Sequence, residues 1–236
     1  MKTTEINESM KLRFMLLREN GYEVERAQKC LDFIHGGAEE APAQSKAGEL
    51  ADGIYLIDTK GNAVRFVGDK TETINDTAYV GIVMGSHSVA VSLIEQAQMD
   101  NITLTKKDAN KCAESIYHTK YIDAVADWNG RRNTENLKKQ GLSSQIELRP
   151  GEYIPSLAEL YLICLNRKKL NEALAFVGGQ LFGDLWYWSS TEFSATGAWG
   201  LYRSDGYASG GTKALGRRAS SELGPFQHFY PLTVNL

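Results

Sequence analysis

Trp186-Tyr187-Trp188-Ser189-Ser190-Thr191-Glu192, followed by Ala198-Trp199 and Ser204-Asp205-Gly206, is the stretch on which the reading of this 236-residue chain turns. Its aromatics and hydroxyls make a rigid framework, and that framework flanks a run of different character. From Gly197 to Arg218 the chain is so rich in Gly, Ser, Ala, Tyr and Arg that neither a helical nor a strand period survives. Tyr and Arg are favoured at binding surfaces, and Gly and Ser let backbone adapt around them. The contrast predicts a scaffold holding a recognition surface. Short strands and long loops should fill the C-terminal region, anchored to a core by Trp188, Trp199 and Tyr230. Long loops in a compact domain usually carry function.

Upstream of this stretch, Ile154-Pro155-Ser156-Leu157-Ala158-Glu159-Leu160 predicts a helix start. Ser156 and Glu159 are spaced as a capping box, in which the hydroxyl accepts from a helix-start amide and the carboxylate accepts from the cap amide. Leu157, Leu160, Tyr161 and Cys164 form the inner face. A second helix over 168–177 presents Leu170, Ala173, Leu174 and Val177 before Gly178-Gly179 stops it. Further upstream, 53–58 and 63–67 predict a β-hairpin, and 78–84 with 88–93 a second strand pair. His87 falls in the turn between the latter two and reads as a solvated loop residue. A helix is predicted over 106–125 with Ala109, Cys112, Ala113 and Ile116 inward. Residues 1–37 read as a helical hairpin, with Met10, Phe14 and Leu17 on one helical face and Val24, Ala27, Leu31 and Ile34 on the next. That hairpin serves either attachment or oligomerisation, or simply covers one end of the core. Residues 38–51 form a polar linker, and 52–236 the main domain.

Composition narrows the function classes. The net charge is −3, which gives no general attraction for nucleic acid or anionic lipid. No stretch is long and apolar enough to span a bilayer, and the N-terminal residues lack the pattern of a secretory signal, so a soluble protein without membrane insertion is expected. Three cysteines, Cys30, Cys112 and Cys164, are widely separated and read as small buried hydrophobes. Four dispersed histidines and the lack of a nucleophile-elbow motif argue against familiar catalytic constellations. The hydroxyls of Ser189, Ser190 and Thr191 are expected to satisfy backbone groups where loops cross the sheet, and Glu192 to accept from loop amides.

Several motifs together bring a family into view. Asp52–Asp58, Tyr79–Val83, Asp127-Trp128-Asn129-Gly130 with Asn133-Thr134, Tyr153–Leu160, Val177–Gly179, Tyr187–Glu192, Ala198-Trp199 and Ser204–Gly206 occur in the order found in bacterial C-type-lectin-like domains. The chain resembles above all those members whose ligand loops are diversified by retroelements, many of them encoded by phages and prophages. The resemblance covers about residues 52–236.

It implies an α+β, C-type-lectin-like fold: two helices around a small twisted antiparallel sheet, with long C-terminal loops. It also implies a variable ligand surface at Gly197, Gly200, Tyr202, Arg203, Tyr207, Ala208, Ser209, Gly210, Gly211, Thr212, Ala214, Leu215, Gly216 and Arg217. In such relatives an error-prone reverse transcript alters adenines, chiefly in asparagine codons, and every residue type at these positions is reachable that way. Trp186, Trp188, Glu192, Trp199, Asp205 and Gly206 are the implied scaffold, and Lys213 also sits where relatives keep the framework constant. Arg203, Lys213, Arg217 and Arg218 outnumber Asp205, so the surface is expected to be locally basic, with Tyr202, Arg203 and Tyr207 at its energetic centre.

The calcium-dependent lectin pattern is not met: Trp128-Asn129-Gly130 is its nearest trace, with Gly where the carboxylate belongs, so no metal site is expected. Sulfatase-modifying enzymes of the same fold class need C-terminal thiol or copper chemistry, and no cysteine follows Cys164. The expectation is therefore a ligand-binding protein and not an enzyme, without cofactor. Its partner would be a protein or glycan receptor on a cell surface, as for a phage receptor-binding protein in a virion tail. A homo-oligomer, such as a trimer, would let weak contacts add. The alternative is a structural or assembly protein of a virion or cell surface, and the cytoplasm is the alternative location.

Overall fold

The computed structural model describes residues 50–71, 76–85, 87–93, 103–106, 110–182, 186–202 and 207–214. The helical hairpin expected over residues 1–37 and nearly all of the expected linker lie outside the described residues. What is described is an α+β arrangement of two antiparallel sheets and four helices. The first sheet has strand order β2-β1-β3-β4, from β1 (Gly53–Asp58), β2 (Ala63–Arg65), β3 (Thr77–Met84) and β4 (His87–Ser92). Helices α1 (Tyr121–Val125), α2 (Gly130–Gln140), α3 (Leu157–Leu165) and α4 (Arg167–Phe176) follow. The second sheet is a meander of β5 (Trp186–Ser194), β6 (Gly197–Tyr202) and β7 (Tyr207–Thr212).

Strand periodicity explains the first sheet. Ile54 and Leu56, with Val80, Ile82, Met84, Val89 and Val91, point into the main core, while Tyr55, Ile57, Val83 and Ala90 form a buried cluster on the other face. A strand buried on both faces reads as a continuous apolar run, which is why 53–58 carries so few polar residues. The β1–β2 turn is closed by Asp58, whose carboxylate accepts from the Lys60 amide at 2.8 Å and the Asn62 amide at 2.9 Å. Helices α3 and α4 fill the main core with Leu157, Leu160, Leu170, Ala173 and Leu174, and Tyr187 and Leu201 join it from the second sheet. The capping box forms as the spacing predicts: Ser156 Oγ accepts from the Glu159 amide and Glu159 Oε2 accepts from the Ser156 amide at 2.6 Å.

Three expectations are corrected. Of the helix predicted over 106–125, only Tyr121–Val125 is helical among the described residues. Residues 110–118 instead direct backbone groups to other elements, the Asn110 amide to Gln140 O and the His118 amide to Glu192 O, so tertiary hydrogen bonds displace helical ones. Cys112 is buried, but Ala113 and Ile116 are exposed, and Ala109 lies outside the described residues. His87 is not a solvated turn residue, because it opens β4 with its ring stacked on Trp128 at 3.7 Å between centroids. Finally, the Gly-rich run carries β6 and β7, paired in register from Gly197↔Thr212 to Tyr202↔Tyr207. Backbone pairing needs no side-chain alternation, so the period was absent although the strands are present.

Among the described residues, Glu159 has no lysine or arginine as a hydrogen-bond partner. It accepts from the Ser156 amide and, at 3.0 Å, from the Tyr153 hydroxyl. Burial, and the nearby Asp127 carboxylate, push its pKa up to about 7 against the capping-box bonds that favour the anion. Between the unfolded value near 4.5 and about 7, the folded state holds a proton that the unfolded chain has released. Stability from this group therefore falls as pH rises across that window, by at most about 3 kcal/mol. Urea midpoints at pH 5 and pH 8 should show that part of the slope removed by Glu159→Gln, which keeps an acceptor for the Ser156 amide. An unchanged slope would refute the assignment.

Candidate ligand-binding surface

The Ser189-Ser190-Thr191 segment is a bulge. Trp188 pairs with Gly200 and Glu192 with Ala198, so these β5 residues oppose only Trp199. Ser189 Oγ donates to Trp199 O at 2.8 Å, holding the bulge to β6. The Ser190 amide donates to Pro155 O at 2.8 Å. Thr191 Oγ1 accepts from the Leu157 amide at 2.9 Å and donates to Asp127 Oδ2 at 2.8 Å. Asp127 in turn accepts from the Asn129 amide at 3.0 Å and from Asn133 Nδ2 at 2.7 Å. The expected backbone-satisfying role of these hydroxyls is thus seen, and it joins β5 to the starts of α2 and α3. Asp127 and Asn133 belong to the motifs that carry the family resemblance, but nothing in their local sequence announces a buried network.

Glu192 and Lys213 meet in the interior. Both are buried, and the Lys213 ammonium donates to the Glu192 carboxylate and to Gln140 Oε1. Gln140 Nε2 completes the cluster by donating to both Glu192 oxygens, at 3.0 and 3.1 Å. Two expectations change accordingly. The Glu192 side chain accepts from Lys213 and Gln140, where loop amides were expected, and Lys213 is a buried framework cation that adds nothing to a basic surface. Backbone bonds fix the same corner, with the Lys213 amide donating to Thr196 O and the Leu104 amide to Lys213 O, both at 2.9 Å.

Between these anchors stands the β6–β7 hairpin. Of the expected surface positions, Thr212 is exposed, while Ala208, Ser209, Gly210 and Ala214 are half-buried. Ala208 also packs against the main core. Gly197, Gly200 and Gly211 are buried. A Cβ on Gly211 would lie 2.5 Å from Trp188 Cη2, one on Gly210 would lie 2.7 Å from Phe193 Cε1, and one on Gly197 would collide with Cζ at the tip of the same Phe193 ring. These glycines therefore make room for aromatics, a constraint the list of reachable codons does not contain. Tyr202 and Tyr207 are cross-strand partners. Arg203, Asp205, Gly206, Leu215, Gly216, Arg217 and Arg218 lie outside the described residues. Trp186 and Trp188 are buried as a scaffold requires, and Trp199 is half-buried, its indole Nε1 donating to His118 O at 2.8 Å.

No family model matches this chain, and neither a curated protein nor a solved structure matches it. The site must therefore be read from its own geometry. Among the described residues no group of three or more His, Cys, Asp or Glu side chains is arranged to hold a metal ion. No described helix is long and apolar enough to cross a membrane.

The steric reading separates positions the sequence grouped together. Gly211→Val should lower stability by about 2 kcal/mol, because the added side chain would have to displace Trp188, which is buried in a cluster with Leu104, Leu137, Ile146 and Ile154. Thr212→Ala and Ser209→Ala should change it by less than about 0.5 kcal/mol. Thermal melts of the three variants check this, and equal losses at all three would refute the division.

Proposed function

We propose that this chain is a ligand-binding protein displaying an exchangeable surface on a C-type-lectin-like scaffold of the retroelement-diversified type, as in a phage receptor-binding protein. The observation that carries the reading is the buried Lys213–Glu192–Gln140 cluster. It joins Glu192, which lies in β5 opposite Ala198, to the residue following β7, so the hairpin is clamped at its base, where Gly197 pairs with Thr212. Exposed side chains on such a hairpin can change without loss of backbone geometry. The motif residues Asp127, Asn133, Ser156, Glu159, Ser189 and Thr191 also engage one another or neighbouring backbone, which supports their role as a constant frame.

The exchangeable set is then Tyr202, Arg203, Tyr207, Ser209, Thr212, Ala214, Leu215 and Arg217, with the buried glycines as frame. The ligand is a protein or glycan receptor, and a homo-oligomer such as a trimer raises the strength of individually weak contacts. Sequencing the locus across a population provides the test. Substitutions concentrated in this set, beside a near-repeat rich in asparagine codons, are expected. Invariance at Tyr202, Tyr207 and Thr212 with free change elsewhere would overturn the reading.

A further inference from the structure

Lys213, Glu192 and Gln140 come from three separate parts of the fold, and each is at most 3% exposed. Their backbones are held independently. Gln140 ends α2, where its carbonyl accepts from the Asn110 amide at 2.9 Å and Gly141 turns the chain away at a φ of 100°. Glu192 lies in β5 opposite Ala198 and its carbonyl accepts from the His118 amide at 2.8 Å, while the Lys213 amide donates to Thr196 O at 2.9 Å. The three side chains therefore meet in one fixed arrangement. The Lys213 ammonium donates to Glu192 Oε1 and to Gln140 Oε1. Gln140 Nε2 faces the carboxylate, donating to Oε1 at 3.0 Å and to Oε2 at 3.1 Å, and Ser115 Oγ accepts from the same nitrogen at 2.9 Å. An ammonium only donates and a carboxylate only accepts, so this orientation of the Gln140 amide is the one that its neighbours dictate.

Stability alone does not account for the trio, since replacing a buried ion pair by apolar side chains of similar volume is often neutral or stabilising. What the trio holds is an amine against the acyl oxygen of an amide, with one carboxylate oxygen touching both that amine and the amide nitrogen. These are the two reactants and the proton carrier of a transamidation, placed out of reach of water.

We propose that Lys213 and Gln140 condense into an intramolecular isopeptide bond, with Glu192 carrying the proton. Glu192 takes a proton from the Lys213 ammonium, and the freed lone pair attacks Gln140 Cδ, forming the Nζ–Cδ bond as the carbonyl pair moves onto Oε1. Glu192 then gives its proton to Nε2. As the carbonyl re-forms, the Cδ–Nε2 bond breaks, and the departing nitrogen takes one further proton from Nζ and leaves as ammonium. An ammonium and a primary amide thus become a secondary amide and an ammonium, Glu192 is a carboxylate again, and no oxidant or outside reactant is needed. Holding amine and amide in contact makes the step intramolecular, which offsets the sluggishness of exchange between free amines and amides. The bond joins positions 73 residues apart, so the end of β7 is tied covalently to the end of α2. The inference stands on this geometry and not on what the hairpin binds.

The test is the mass of the full chain, unfolded before measurement, followed by a protease digest. A mass one ammonia below that of the sequence is expected, with the peptides containing Gln140 and Lys213 recovered as one linked species that survives reduction. Lys213→Arg and Gln140→Met should each restore the sequence mass, and Glu192→Ala should leave most of the chain unlinked. A parent chain of full sequence mass, or an ammonia loss that maps to any other residue, would overturn the proposal. That readout is made on the parent, so a variant that fails to fold cannot obscure it. A Glu192→Ala chain linked as completely as the parent would overturn the role given to Glu192. None of these results bears on the ligand-binding reading, which sequencing of the locus tests separately.

Discussion

Gly130→Ala is expected to be the most damaging single-methyl change among the described glycines, costing roughly 3 to 5 kcal/mol. Gly130 opens α2 where three elements converge. A Cβ there would overlap Glu159 Oε2 and lie 2.8 Å from both the Ser156 amide nitrogen and Tyr153 Cε2. The carboxylate cannot swing away without leaving the Ser156 amide, and the backbone nitrogen cannot move without undoing the start of α3. Relief by a side-chain rotation, available at an exposed glycine, is closed here. The Gly130 carbonyl also accepts from Thr134 Oγ1 at 2.8 Å, and that hydroxyl accepts from the Ile154 amide at 2.9 Å, so a shift of Gly130 propagates into the 153–156 segment. Chemical denaturation of the variant checks this, and a midpoint within error of the parent would show that the junction is looser than its geometry.

The second large effect is expected at Lys213. Lys213→Met removes the cation and leaves the buried Glu192 carboxylate with Gln140 as its remaining side-chain donor among the described residues. Breaking a buried pair from one side typically costs about 3 to 5 kcal/mol, since the remaining charge keeps its desolvation penalty. The informative comparison is the double change Glu192→Gln with Lys213→Met. There the two amides, Gln140 and the new one, can pair with each other, and no charge is left in the interior. The double variant should therefore be more stable than Lys213→Met alone. If it is less stable, the pair contributes net attraction beyond the satisfaction of a buried charge. Either result leaves Thr212 and Ser209 as sites whose substitution the scaffold tolerates, and the melts proposed above supply the reference.

These two junctions differ in how far the sequence revealed them. The capping box at Ser156 and Glu159 was legible because its partners are three residues apart. The β1–β2 hairpin was legible for the same reason, with Asp58, Gly61 and Asn62 closing a local turn. Helix α2 was not. Its buried residues are Gly130, Thr134, Asn136, Leu137 and Gln140, so its inner face is almost entirely polar and leaves no apolar stripe to read. The segment 110–120 misled in the opposite sense, since spacing suggestive of a helix fell on residues whose amides bond to Gln140 and Glu192. Phe193 carries no local signal, because its role depends on contact with Gly197 and Gly210, two residues that composition alone does not distinguish from replaceable surface positions.

What the sequence determined by itself is the set of features whose energetics close over a few residues: the apolar strand runs of the first sheet, the cap of α3, the glycine stop after α4, and the aromatic frame at 186–192. Tertiary structure decided the rest. The Lys213 ammonium reaches Glu192 across 21 residues and Gln140 across 73, and Gln140 reaches Glu192 across 52. No local pattern encodes such a cluster, because burial and pairing depend on where the sheets and α2 come together. The same physics turned Lys213 from a surface charge into an anchor. It also separated buried glycines from exposed side chains within a run whose composition had made them look alike.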